Sequence, residues 1–369
     1  MNPARDWWRP ALTWRTAPLL PLAWLFGAVI ALRRGLYGLG ILKATRLPVP
    51  VVVVGNLTVG GSGKTPLVIF LAAALAARGF TPGVISRGYG TKSGTKSGTK
   101  SRTKSGTKGG TKGGTKGATG GEKQGASREV HRDSTPEEVG DEPLLIRRKT
   151  GVPVFVGAAR AQVALALLAA HPAVDLIISD DGLQHLAMGR DFEIAVFDAR
   201  GAGNGALLPA GPLREPLRRA ARLDALVSNG AAMRAIAPGR ASIAMRLVPG
   251  DFHSLGDAGR PMAPADFVRM QPRGAPVAAV AGIGNPARFF STLRELGLEI
   301  SEHAFPDHHA YRRADLAAIS ADCIVMTEKD ALKCAQQNDP RVWVLPVAAA
   351  IDDGLANSIV EKLRGPKVA

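Results

Sequence analysis

The 369-residue chain has only two cysteines, Cys323 and Cys334, and they stand in no metal-ligand spacing. Thiol use this sparse excludes a disulfide framework and suits a reducing compartment, with both residues read as small buried hydrophobes. Aromatic residues are scarce at 5%, and no basic stretch interleaves them for stacking on bases. The segment 91–117 has no acid at all, yet carries seven lysines and Arg102, half of the formal net charge of +16. The rest of the chain is moderately basic, which suits anionic ligands or an anionic membrane surface and not specifically DNA or RNA.

What is present is apolar and periodic. Hydrophobic residues make up 46% of the chain, enough for a large core and two domains of ordinary size. Four of the five tryptophans, Trp7, Trp8, Trp14 and Trp24, fall in the first 24 residues. They surround an uninterrupted apolar run, Leu19 to Leu32, with Arg5, Arg9 and Arg15 before it and Arg33 and Arg34 after. Fourteen helical residues reach about 21 Å, short of the roughly 30 Å hydrocarbon core. The favoured reading of residues 1–46 is a helix lying in the cytoplasmic face of a membrane, tryptophans at headgroup level and arginines on acidic lipids. A signal peptide and a helix docked on protein are the alternatives; no small-x-small cleavage site supports the first.

From Val51 onward, short β-branched runs alternate with alanine- and leucine-rich stretches. Strands are expected at Val51–Val54, Gly83–Ser86, Val152–Val156, Asp175–Ser179, Glu193–Phe197, Ala225–Ser228, Val277–Ala281, Cys323–Met326 and Val342–Leu345. Helices such as Leu67–Arg78 and Ala158–Ala170 fall between them. Near-continuous apolar strands separated by helices imply an α/β fold, a parallel sheet covered on both faces. The pattern divides the chain into an N-terminal segment 1–46, an α/β domain 47–225 and a smaller α/β domain 226–369. Residues 91–121 repeat T-K-[SG]-G, too polar to offset chain entropy, so disorder is expected there. That repeat reads either as a tolerated loop insertion or as a polybasic tether to anionic lipid.

Between the first strand and the next helix lies "TVGGSGKTP", Thr58 to Pro66. Strand, glycine loop and helix are the context a P-loop requires. Gly60, Gly61 and Gly63 let backbone N–H groups, with those of Val59 and Ser62, turn toward phosphate oxygens of ATP. Lys64 is placed for the β- and γ-phosphates and Thr65 for Mg²⁺. Pro66 is tolerated in a first helical turn, whereas Thr58 departs from the glycine of the general pattern. A second strand ends in "SDDGLQH", placing Asp180 and Asp181 at its C-terminal edge, where paired carboxylates suit a hard cation.

These and six further motifs occur in order: "SRGYG" (86–90), "VGDEPLLI" (139–146), "GPLREP" (211–216), "AGIGNPARFF" (281–290), "FPDHH" (305–309) and "TEKDALK" (327–333). Over roughly residues 15–350, repeat excepted, the chain closely resembles the tetraacyldisaccharide 4′-kinase family of lipid A biosynthesis, in which Thr58 is the usual loop residue. The resemblance implies transfer of the γ-phosphate of ATP to the 4′-hydroxyl of a lipid-borne tetraacyldisaccharide 1-phosphate, giving lipid IVA. It also implies a site at the cytoplasmic face of the Gram-negative inner membrane, in a cleft between a P-loop domain and a smaller α/β domain. Asp141 is then the general base and His308 its partner, with Lys64 and Arg214 neutralising the transferring phosphoryl group. Thr65, Asp180, Asp181, Gln184 and Glu215 are the implied magnesium set; Arg87, Tyr89, Glu142 and His309 are assigned to the acceptor, and no obligate protein partner is implied.

Blander readings stand beside these. Asp141 suits a cap for a helix starting at Pro143, Arg214 a surface charge, and "DHH" a phosphoesterase lacking its partner motifs. "TEKD" is similar to the guanine-reading motif of GTPases but has Glu328 at the lysine position, so it reads as structural. A P-loop ATPase or metallochaperone switch acting on a partner protein is the alternative function, and a nucleic-acid-binding protein ranks last.

Overall fold

The computed structural model describes residues 6–88, 127–230, 236–257, 259–272 and 276–365. Tyr89 and the whole 91–121 repeat lie outside the described residues. Two sheets organise the chain. The larger takes its centre from β1 (Val51–Gly55), flanked in parallel by β5 (Leu176–Asp180) and β6 (Phe192–Asp198). Beyond β5 come β2 (Pro82–Ser86), β4 (Val154–Val156) and the short antiparallel β3 (Arg128–Glu129); beyond β6 come β7 (Ala225–Asn229), β8 (Ile243–Pro249) and antiparallel β14 (Val347–Ile351). The smaller sheet orders β11 (Ile300–Ala304), β10 (Val277–Ala281), β12 (Ile324–Thr327), β13 (Val342–Leu345) and β9 (His253–Ser254), parallel except for β9.

The tetravaline of β1 explains its central place. Val52 and Val54 enter one hydrophobic cluster, Val51 and Val53 another, and all four are essentially inaccessible. Alternating side chains of one strand thus bury against helices on both faces, as a parallel sheet demands. The small sheet repeats the arrangement, Ala279 and Ala281 on one face and Ala278 and Val280 on the other.

The sheets divide the chain differently from the expected 225/226 boundary. β7 and β8 continue the large sheet, and the chain, after building the small one, returns to it with β14 and the helix Gly354–Arg364. Leu355 and Ile359 of that helix share a buried cluster with Leu67 and Leu71 of α2 (Lys64–Ala76). β8 and β14 escaped the sequence reading because each alternates half-buried with exposed residues, a weaker signal than a doubly buried strand.

The N-terminal helix α1 (Leu20–Gly38) follows a 3₁₀ turn at Ala17–Leu19, and the 22 residues Ala17–Gly38 are long and apolar enough to cross a membrane. That exceeds the expected fourteen, because Arg33 and Arg34 do not end the helix. Its Ala23–Gly27–Ile30–Arg34 stripe faces the protein: Ala23 is buried, a Cβ on Gly27 would meet Leu207, and Ile30 and Arg34 line a cavity. Leu22, Leu25, Val29 and Leu32 are exposed. The tryptophans divide. Trp14 and Trp24 are exposed, whereas Trp7 donates its indole N–H to the Pro209 carbonyl and Trp8 lies under the Arg200 guanidinium, so these two pack on protein and not at a headgroup layer.

Candidate active site

The glycine loop leaves β1 and enters α2 at Lys64, three residues earlier than the sequence suggests, with Gly63 as its N-cap. Gly60 and Gly63 have φ of 92° and 98°, conformations that side chains with a Cβ rarely adopt. Thr58 needs no glycine: it is not in the left-handed region, and it pairs with Leu213 in an isolated antiparallel bridge. Val59 N–H donates to Pro212 O, so "GPLREP" braces the start of the loop. Thr58 and Val59 therefore act on the backbone side, while Gly60 to Thr65 line a cleft of about 430 Å³ between the two sheets.

Lys64 Nζ lies 3.6 Å from Asp181 Oδ1, and Arg214 Nη1 donates to both oxygens of Asp181 at 3.1 Å. Burial opposes ionisation of Asp181, but these two cations outweigh it and hold its carboxyl below the ordinary range. Asp180 behaves oppositely. Burial and the charges of Glu142 and Asp181 raise it despite Lys64, and its Oδ1 has no hydrogen-bond partner although Ser86 donates to Oδ2. An orphaned carboxylate oxygen beside a second carboxylate, with the hydroxyl residue Thr65 lining the same cleft as Asp181, is a hard-oxygen donor set that fits Mg²⁺. Among the described residues no cluster of three or more His, Cys, Asp or Glu is arranged for a metal.

Glu215 is engaged by two other side chains. Arg34 of α1 donates to its Oε2 at 2.7 Å and Gln184 Nε2 to its Oε1 at 2.9 Å, so both oxygens are taken. Gln184 also donates to Asn56 O at 3.1 Å, presenting its amide nitrogen to this cluster. The pair links the N-terminal helix to the root of the loop.

The facing wall comes from the helix Asp141–Thr150 and the small sheet. Asp141 is the first residue of that helix, buried, and accepts the Glu142 N–H at Oδ1. Its Oδ2 lies 3.0 Å from His308 Nδ1, so the expected dyad forms, and His308 sits at a φ of 60°, turned back toward the cleft. His309 is engaged elsewhere: it pairs with Asp315 at 3.0 Å and packs on Phe305. Burial would raise the Asp141 carboxyl, but His308, Lys329 and Lys333 bring it down to about 2, while His308 is raised in turn.

Lys329 is the residue the sequence reading passed over. Its ammonium reaches Glu142 Oε1 at 2.9 Å, Asp307 Oδ1 at 3.5 Å and Asp141 Oδ2 at 3.7 Å. These three carboxylates raise it well above the usual lysine range although burial opposes this. The signal was "TEKD" itself: Thr327 and Asp330 do the structural work, Thr327 capping the helix and Asp330 accepting the Gly282 N–H, and Lys329 is left to face the cleft.

A second cavity of about 340 Å³ adjoins the first through Asp181 and Arg214, and α1 forms one side with Phe26, Ile30, Arg33 and Arg34. Arg87 and Gln184 line it, as does His185, which burial and the nearby Arg160 and Arg87 lower to about 4 and so keep neutral at physiological pH.

The sequence profile described as tetraacyldisaccharide-1-P 4′-kinase matches residues 15–110 and 118–364. Similar curated proteins include the tetraacyldisaccharide 4′-kinases of Janthinobacterium sp. (strain Marseille), 49% identical over 95% of this chain and 93% of that relative, and of Dechloromonas aromatica (strain RCB), 48% identical with the same coverage. The crystal structure of LpxK from Aquifex aeolicus in complex with ATP is similar with a TM-score of 0.69 and 28% identity, covering 94% of this chain and 99% of that one.

Proposed function

The chain belongs to the tetraacyldisaccharide 4′-kinase family, and from that premise we propose how its own residues divide the work. It is an ATP-dependent phosphotransferase of lipid A biosynthesis, acting on the 4′-hydroxyl of a tetraacyldisaccharide 1-phosphate to give lipid IVA. One observation carries the division of roles: the glycine loop with Lys64 lines the same cleft as His308, and His308 holds the buried Asp141 at 3.0 Å.

The loop N–H groups and Lys64 bind the polyphosphate of ATP, and Arg214 shares its charge between Asp181 and the phosphoryl group in flight. Thr65, Asp180 and Asp181 would hold Mg²⁺, which would supply charge neutralisation to the polyphosphate. The acceptor enters from the α1 side, where Arg87 and Arg33 meet its anionic disaccharide and Phe26 and Ile30 its acyl chains. Asp141 aligns the 4′-hydroxyl and receives its proton. A carboxylate of low basicity suffices, because a loose phosphoryl-transfer transition state releases that proton late. His308 and Lys329 fix the Asp141 rotamer and keep it ionised. The exposed apolar face of α1 rests in the cytoplasmic leaflet of the inner membrane, which brings the enzyme to an acceptor that stays in the bilayer.

The test is labelled ATP, Mg²⁺ and detergent-dispersed tetraacyldisaccharide 1-phosphate, with the product analysed for 4′-phosphate. The expected result is a bisphosphorylated lipid. ATP turnover with free phosphate as sole product would overturn the assignment and favour a switch ATPase.

A further inference from the structure

The phosphate loop is gripped from behind, one side-chain donor to each of three consecutive carbonyls. Asn56 Nδ2 donates to Gly60 O at 3.1 Å, Arg200 Nη2 to Gly61 O at 3.2 Å and Asn229 Nδ2 to Ser62 O at 3.0 Å. A peptide unit is planar and trans, so each carbonyl points away from the N–H of the following residue. Fixing these carbonyls therefore aims the N–H groups of Gly61, Ser62 and Gly63 to the opposite side.

Two of the donors are themselves locked, and by parts of the molecule far apart in sequence. Arg200 is forked against Asp198, with Nε at 3.1 and 2.9 Å from its two oxygens, and stacks on Trp8 at 4.0 Å. Its Nη1 also reaches Gly284 O at 3.4 Å, across the cleft. Asn229 Oδ1 accepts from Arg288 Nη2 at 2.6 Å, which settles which end of the amide faces Ser62. Arg288 belongs to the helix Pro286–Glu295 that packs on the small sheet. The backbones of Gly61 and Gly284 meet so closely that a Cβ on Gly284 would stand 2.5 Å from Gly61 N.

We infer that Asn56, Arg200 and Asn229 are positioning residues that preorganise the loop for the nucleotide's polyphosphate, and that Arg288, by orienting Asn229, ties loop geometry to the opposite wall of the cleft. Oriented N–H dipoles bind an anion without reorganising, so loosening any one carbonyl lowers affinity for phosphates and leaves the acceptor cavity untouched. This inference rests on the nucleotide-binding reading above.

The experiment is calorimetric titration of the full chain in detergent with ATP and with ADP, in the presence of Mg²⁺, for Asn229→Asp, Arg200→Lys and Arg288→Ala. Asn229→Asp turns an acceptor toward Ser62 O while keeping shape; Arg200→Lys keeps the charge against Asp198 but loses the fork. The first two are expected to raise Kd for both nucleotides about tenfold, the scale of one lost hydrogen bond at an anion site. Arg288→Ala is expected to raise it about threefold, since Arg288 acts only through the orientation of the Asn229 amide. KM for the disaccharide stays as in the parent in all three variants. Nucleotide Kd within about twofold of the parent in the folded variants would overturn the inference. So would a rise in Kd matched by losses in nucleotide-free stability and acceptor KM, the mark of a merely structural role. A parent chain that bound no ATP would instead remove the nucleotide reading, and this inference with it.

Discussion

Asp141 and His308 pull each other's proton equilibria apart, and the consequence is measurable. His308 is raised above its unfolded value of about 6.5, so the stability it contributes is complete below that pH and is lost as pH rises through the folded value. Asp141 is lowered to about 2, so its contribution is complete above the unfolded carboxyl value and is lost as pH falls toward 2. The pair is therefore worth most between about pH 4 and 6.5. Melting curves of the parent and His308→Gln across pH should differ most in that window and converge on the alkaline side; a constant gap would refute the coupling. For the reaction, Asp141→Asn is expected to lower kcat by about 10²–10⁴ with ATP affinity little changed, as single-turnover rates and nucleotide titration can show. Lys329→Met leaves Asp141, Glu142 and Asp307 facing one another without their shared cation. A kcat loss of about 10² is expected, restored in part by Lys329→Arg. Lys64 and Asp181 were legible because each stands in a short motif whose chemistry is local. Asp141 and His308 came only with the family resemblance, their own motifs suiting a helix cap and a phosphoesterase equally well. Lys329 was not legible, because its partners at 141, 142 and 307 converge on it only through folding.

Among the elements, α1 carries two faces with separable duties. Leu25 and Leu32 are 63% and 65% exposed, so Leu25→Ser with Leu32→Ser should leave the melting temperature unchanged. Partition onto vesicles containing phosphatidylglycerol should fall by at least about tenfold, since each leucine withdrawn from hydrocarbon forfeits roughly 1.5–3 kcal/mol. Equal vesicle binding by parent and variant, measured by sedimentation, would detach the helix from that role. Arg34→Ala tests the inner face: it removes the link from α1 to Glu215, and is expected to lower kcat several-fold even with short-chain acceptor in detergent, where no membrane is needed. The apolar run announced the outer face. The inner one was hidden because glycine and alanine are silent in a hydropathy reading, yet Gly27 is where α1 meets Leu207.

At the scale of the molecule, the chain leaves the large sheet after β8, builds the small one, and comes back with β14. Ending the chain at residue 346 would strip β14 and the helix Gly354–Arg364 from the large sheet and uncover Leu67 and Leu71, both fully buried. Exposing side chains of this size costs roughly 1.5–3 kcal/mol each, against a net stability of about 5–15 kcal/mol for a domain. The truncated chain is expected to lose its cooperative thermal transition; a sharp melt near the parent's would show that the large sheet closes without its last strand. Alternating strands and helices made the doubly wound architecture readable. The crossing back was not, because a half-exposed edge strand resembles any amphipathic segment. The return also sets a clock on biosynthesis. β14 is translated 296 residues after β1 begins, about 15–60 s later at ribosomal rates. Throughout that interval α1 is already made, so its exposed apolar face is available to lipid before the large sheet that carries the phosphate loop is complete.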